Sequence, residues 1–202
     1  MMPPLATEHY WYQTKLEFGL NPYYVFPDYE IPNPNWWIIS PDKIISPETI
    51  KKFLHLDLHI DTVALFYCPP NCSPTHAHAD YSKNINGLLS SAFNYVIDGF
   101  GSKMVWYTPL INPHKVEIQK SNSIKGKWPK FYLNWEINTE ELIEKASYKI
   151  TGNNLTMIRV DVPHAVFTKN QSRWCISIRF KNTNSLSWKD SIELMKTKNI
   201  LD

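Results

Sequence analysis

Alternation between apolar and polar positions is clearest near the C-terminal end. There Pro163–Thr168 and Arg173–Phe180 read as two strands joined by the polar tetrapeptide Lys169-Asn170-Gln171-Ser172. Closed as a simple antiparallel hairpin, this loop sets Thr168 opposite Arg173 and His164 opposite Ser177, and directly opposed residues share a face. One face then carries His164, Val166, Thr168, Arg173, Cys175, Ser177 and Arg179, and the other carries Trp174, Ile176, Ile178 and Phe180. His164 and Arg173 look into the same space, roughly 16 Å apart along the hairpin. On this stretch alone, an amphipathic strand pair with its polar face in water is the simpler account.

Upstream, the pattern shifts several times. Residues 1–45 combine prolines with aromatic runs (His9–Tyr12, Tyr23–Phe26, Trp36–Ile39) and read as extended chain wrapping a core that occupies 46–202. Ser46-Pro47-Glu48 opens a helix through about Asp57: Ser as N-cap, Pro at the first helical position, an acid in the first turn. Ile50, Phe53 and Leu54 give that helix one apolar face. Thr62–Tyr67 is a short apolar strand stopped by Pro69-Pro70, and a turn-rich link leads to His76-Ala77-His78-Ala79-Asp80. Ala92–Ile97 and Lys103–Tyr107 read as a hairpin around Asp98-Gly99. Residues 112–130 read as a long loop, Phe131–Glu136 as a strand and Asn138–Ala146 as a short helix. Tyr148–Ile150 and Leu155–Val160 read as further strands, and Ser187 caps a closing helix over Trp188–Lys198. Many short strands with helices near the ends predict a mainly β fold with flanking helices, a double-stranded β-helix or cupin-like jelly roll in one domain over 1–202.

At 202 residues the chain is long enough for one well-buried core. The 21 basic and 19 acidic residues leave a net charge of +2, which disfavours nucleic acid as the partner even though lysines gather over 103–130. No run reaches transmembrane length, and the N-terminus lacks the form of a signal peptide. Three cysteines (Cys68, Cys72, Cys175) are too few and too irregular for a disulfide framework, so a reducing cytoplasm is the expected setting.

The chemistry concentrates in two places far apart in sequence. On an extended segment His78 and Asp80 leave on the same face. With His164 from a distant strand they make a 2-His-1-carboxylate set, which holds non-haem Fe(II) while leaving adjacent positions open. Two of those positions suit a bidentate 2-oxo acid and the third O2. An arginine beyond the second histidine, here Arg173, then meets the far carboxylate through a forked pair of hydrogen bonds that lysine does not offer. Other accounts of the same residues stand beside this one. His76 and His78 form an HxH like the first metal motif of cupins, and His164 suits the second, although a three-His cupin site leaves Arg173 unexplained. A third account is a non-catalytic jelly-roll binding protein that keeps the motif as a relic or a structural metal site.

The stretches His76–Asp80 (HAHAD), Ala92–Gly99 (AFNYVIDG), Met104–Tyr107 (MVWY) and Val162–Phe180 (VPHAVFTKNQSRWCISIRF) resemble the Fe(II)- and 2-oxoglutarate-dependent oxygenases, in particular small phage and marine-bacterial members. The resemblance covers roughly the C-terminal two thirds of the chain. It implies a jelly-roll barrel, Fe(II) on His78, Asp80 and His164, and 2-oxoglutarate anchored by Arg173. It also implies co-substrate contacts from the strand before the HxD, at Tyr67, and from the strand after it, at Asn94. The expected reaction is hydroxylation of a small molecule or of a protein side chain.

Overall fold

The computed structural model describes residues 9–27, 33–73, 77–82, 87–99, 101–109, 133–135, 142–149 and 155–202. Two helices precede the main strands. The short α1 (Pro41–Ile44) leads into α2 (Pro47–His55), whose Ser46 hydroxyl accepts the Thr49 amide at 3.2 Å while Pro47 occupies the first turn. At the other end Ser187 caps α3 (Trp188–Thr197) by accepting from the Asp190 amide.

The strands are β1 (Trp11–Gln13), β2 (Asn35–Ile38), β3 (Ile60–Cys68), β4 (Ala77–Ala79), β5 (Tyr81–Ser82), β6 (Gly87–Leu88), β7 (Ser91–Val96), β8 (Lys103–Pro109), β9 (Leu133–Trp135), β10 (Leu142–Lys149), β11 (Thr156–Arg159), β12 (His164–Phe167) and β13 (Arg173–Phe180). They form a six-stranded sheet in the order β1-β11-β7-β13-β3-β2 and a five-stranded sheet in the order β10-β8-β12-β4-β9, with β5-β6 as a small ribbon. The antiparallel pairs β3·β13, β4·β12, β7·β11 and β8·β10 nest one inside the next. The chain is therefore one long hairpin ribbon, turning between β8 and β10, that has been rolled so successive pairs fall alternately in the two sheets. That is a double-stranded β-helix, the jelly roll the strand spacing predicts.

Rolling the ribbon replaces the two local hairpins expected from sequence. β12 pairs with β4 and β8 in one sheet, whereas β13 pairs with β3 and β7 in the other. The reason lies in the connecting residues. The Thr168 amide donates to Cys72 O at 3.0 Å, the Cys72 amide donates to Thr168 Oγ1 at 2.8 Å, and the Asn71 amide donates to Lys169 O. The 168–172 link thus bonds to the β3–β4 link, and Thr168 never faces Arg173. β7 and β8 likewise change sheets across Asp98, Gly99 and Gly101 instead of closing a hairpin.

A second correction concerns Asn138–Ala146, expected as a helix. From Leu142 onward the chain is strand β10, the outer edge of the five-stranded sheet. Pairing with β8 overrides the helix propensity of this segment, and its exposed Glu144, Lys145 and Lys149 are the charges that protect a sheet edge from further pairing. The strand expected at 131–136 is β9; the loop expected at 112–130 and His76 lie outside the described residues.

β13 is buried along its whole length because both of its faces are covered. Trp174, Ile176, Ile178 and Phe180 point outward into a core shared with Phe53 of α2 and Trp188 and Met195 of α3. Phe180 sits edge-on to Phe53 and Phe93, with centroids 5.1 and 5.0 Å away. The opposite face looks between the sheets, where Ala92, Met104, Trp106, Ile158 and Val160 form a second cluster that closes part of the barrel. The N-terminal chain extends the six-stranded sheet at both edges, β1 on β11 and β2 on β3. Among the described residues no helix is long and apolar enough to cross a membrane.

Candidate metal centre

His164 opens β12 and stands directly opposite His78 on β4 in the ladder, so the two imidazoles meet with ring centroids 4.4 Å apart. Asp80 follows β4 by one residue. Its amide donates to Val160 O at 2.8 Å and its carbonyl accepts from the Leu89 amide at 2.9 Å, which fixes the backbone under the carboxylate. The ligand atoms of His78, Asp80 and His164 all lie within 4.8 Å of one another, close enough to share one ion. Asp80 and His164 are buried, and His78 faces the cavity with its side chain 30 % exposed.

The donors are already set for a metal. His164 Nδ1 lies 2.9 Å from Val162 O, and a carbonyl only accepts, so the proton is on Nδ1 and the Nε2 lone pair is free. Burial, reinforced by the neighbouring His78, pushes the His164 imidazole down to about 3, so the ring is neutral at physiological pH. Asp80 divides its two oxygens. Oδ2 pairs with the Arg179 guanidinium, and Oδ1 lies 3.8 Å from His78 Nε2, beyond hydrogen-bond range but a suitable spacing for two ligands of one ion. Burial works to raise the Asp80 carboxyl; Arg179, with the two imidazoles, outweighs it and holds it below the usual carboxylate range.

Arg179 is a residue for which the sequence offers two roles, a substrate contact or a structural ion pair, and it forms the ion pair. Alternation along β13 put it on the His164 face, but nothing in the sequence tied it to Asp80, ninety-nine positions earlier. It also donates to Ser177 Oγ, which in turn donates to Asn94 Oδ1, so a buried chain of polar contacts runs from the metal cluster along the inner face of the six-stranded sheet.

The cluster opens into a cavity of about 430 Å³, whose wall includes Arg173, Asn94, Phe66 and Cys68. Arg173, at the start of β13, is only 3 % exposed, its Nε has no hydrogen-bond partner, and no acidic side chain pairs with it among the described residues. Its register partner is Cys68, whose thiol burial pushes up to about 11. Gly99 packs directly on the Arg173 Cβ. Asn94 faces inward, as its β7 alternation between Phe93 and Tyr95 requires. Tyr67 borders the cavity, but its ring packs on Trp174 with centroids 4.7 Å apart, on the helix-covered side; Phe66 turns inward onto Cys175 instead. Of the two expected co-substrate contacts, Asn94 therefore presents its side chain to the cavity, and the Tyr67 ring is turned away from it.

No protein-family model matches the chain, and no curated protein sequence does. Among solved structures, vicilin from Corylus avellana (hazelnut) is similar at 13 % identity over 80 % of this chain and 32 % of its own, with a TM-score of 0.34. Escherichia coli ycfD is similar at 12 % identity over 75 % of this chain and 33 % of its own, with a TM-score of 0.35. The chain thus spans about a third of the length of these structures. Likeness of this size carries no weight for fold or function, which rest on the nested strand pairs and the geometry of the cluster.

Proposed function

We propose that the protein is an Fe(II)- and 2-oxoglutarate-dependent dioxygenase, a member of the oxygenase family its motifs resemble. One observation supports this above the others: a buried arginine, with no acidic partner among the described residues, shares a cavity with a His-Asp-His cluster. A guanidinium removed from water without a counter-charge is costly, and an anionic ligand relieves that cost. Two imidazoles and one carboxylate suit Fe(II) and leave positions for small ligands. A dicarboxylate that chelates the metal at one end and meets Arg173 at the other satisfies both features at once. The three-His cupin account gives Arg173 nothing to do.

In this reading the bound iron and 2-oxoglutarate supply the oxidation, with O2 consumed, CO2 and succinate released, and one oxygen atom delivered to a substrate C–H bond. The chain's own tasks are positional. His164, locked by Val162, and Asp80, locked by Arg179, present one lone pair each in fixed directions. Arg173 sets the orientation of the dicarboxylate. The apolar walls keep the cavity dry and hold one C–H near the metal.

The test is an anaerobic titration with Fe(II) and 2-oxoglutarate, following the visible charge-transfer band of the chelate. The expected band is absent in His164→Ala and needs more 2-oxoglutarate in Arg173→Ala, and admission of O2 yields succinate. No band at saturating metal, with no thermal stabilisation by either ligand, would sink the oxygenase reading.

A further inference from the structure

We infer that the substrate of this cavity is a small, uncharged molecule whose reacting part is apolar and about the size of one ring, seated against Trp36 and Phe66. The inference rests on the oxygenase reading and concerns the space that reading leaves over. Trp36 lies on edge strand β2, directly opposite Phe66 of β3 in the ladder, and the rings stand 6.5 Å apart at 30°. Both side the cavity, and Met104, Ile158 and Val166 give it further apolar wall. Trp36 is half-buried on the cavity wall beside exposed Asn35.

Charge decides the class. The histidine, aspartate and arginine side chains placed on the cavity wall among the described residues are already committed. His78, Asp80 and His164 are ligands, Arg179 is spent on Asp80, Arg173 serves the co-substrate, and burial keeps the Cys68 thiol protonated. A cationic or anionic substrate group would leave water and meet no uncommitted counter-charge among the described residues of this wall, whereas an apolar ring gains from burial on two aromatic faces. Size points the same way. About 430 Å³ lies toward the lower end of small-molecule sites, about 300–1,000 Å³, and part of it goes to the co-substrate.

The experiment uses full-length protein loaded with redox-inert Zn(II) and saturated with 2-oxoglutarate, whose binding is measured first by calorimetry. Three probes of one size, benzyl alcohol, benzoate and benzylammonium, are then titrated by ligand-observed NMR. Benzyl alcohol should bind at least about tenfold more tightly than either charged probe. Trp36→Ala should weaken it by a similar factor with 2-oxoglutarate affinity unchanged, and Trp36→Phe, which keeps a ring, should restore most of it. A charged probe binding as tightly as benzyl alcohol, no benzyl alcohol binding at millimolar concentration, or indifference to Trp36→Ala would overturn the inference alone. Failure of 2-oxoglutarate to bind would remove the oxygenase reading, and the inference with it.

Discussion

Asp80 and Arg179 form a buried ion pair that joins the two sheets, with one carboxylate oxygen held by the guanidinium and the other turned toward His78. The pair both fixes the direction of a carboxylate in the candidate metal cluster and keeps it ionised. Removing Arg179 leaves Asp80 as an uncompensated buried charge. Arg179→Ala should therefore destabilise the metal-free protein by about 3–5 kcal/mol. It should also weaken metal binding by about 10–100-fold, the usual effect of losing a group that orients a ligand. Denaturant melts and Co(II) titration measure the two effects. A variant with unchanged Co(II) affinity would show that Arg179 does not orient Asp80.

His164 sets an acid dependence of stability. Its folded pKa, about 3, lies below the ordinary histidine value, so between those limits the unfolded chain binds a proton that the folded chain refuses. Stability from this group is present above pH 6.5 or so and declines as pH falls toward 3, with a slope approaching ~1.4 kcal/mol per pH unit. Apo protein melted between pH 7 and 4 should show this decline, and His164→Gln should lessen it, with His78, whose imidazole burial also pushes down, keeping the remainder. Equal slopes in the two proteins would count against a buried neutral imidazole.

Arg173 separates a structural role from a ligand-binding one. It has no acidic partner among the described residues, so replacement by an apolar side chain of similar length removes a desolvation cost and breaks no ion pair. Arg173→Met should match or exceed the parent in thermal stability without ligand, and lose at least about tenfold in 2-oxoglutarate affinity. A variant markedly less stable than the parent would mean the guanidinium serves the fold.

Gly99 is tied to the same side chain. It sits at φ +81°, and a Cβ there would lie 2.7 Å from the Arg173 Cβ and 2.9 Å from the Ser172 carbonyl oxygen, contacts that rigid atoms do not relieve cheaply. Gly99→Ala should lower the melting temperature and weaken 2-oxoglutarate binding while Co(II) affinity is kept, because the candidate metal cluster stands on β12 and at β4, away from Gly99. Parallel loss of both ligands would indicate general unfolding instead of displacement of Arg173.

Helices α2 and α3 and the inner and outer faces of β13 were legible because each is encoded within a few residues, whereas α1 fell in a stretch that reads as extended chain. Ser46-Pro47 and Ser187 supply caps, and a period of two separates Arg173, Cys175, Ser177 and Arg179 from Trp174, Ile176, Ile178 and Phe180 whatever the strand pairs with. The metal cluster was legible for a related reason. His78 and Asp80 share a face through local spacing, and a jelly roll that pairs β4 with β12 brings His164 opposite. The strand at Leu142–Lys149 was not legible, since its propensity favours a helix and only the exposed edge of β8 makes it extended.

Sequence by itself therefore determined the strand-rich class, the capped helices α2 and α3, and which three side chains gather into the candidate metal cluster. Tertiary structure decided which strands pair, that Arg179 belongs to Asp80, that the Tyr67 ring turns to Trp174, and that Arg173 is buried with no acidic partner among the described residues. The physical reason is range. Caps and alternation act over a few residues, while sheet crossing and charge pairing depend on groups a hundred positions apart, and a short polar link reads the same whether the chain turns back or crosses over.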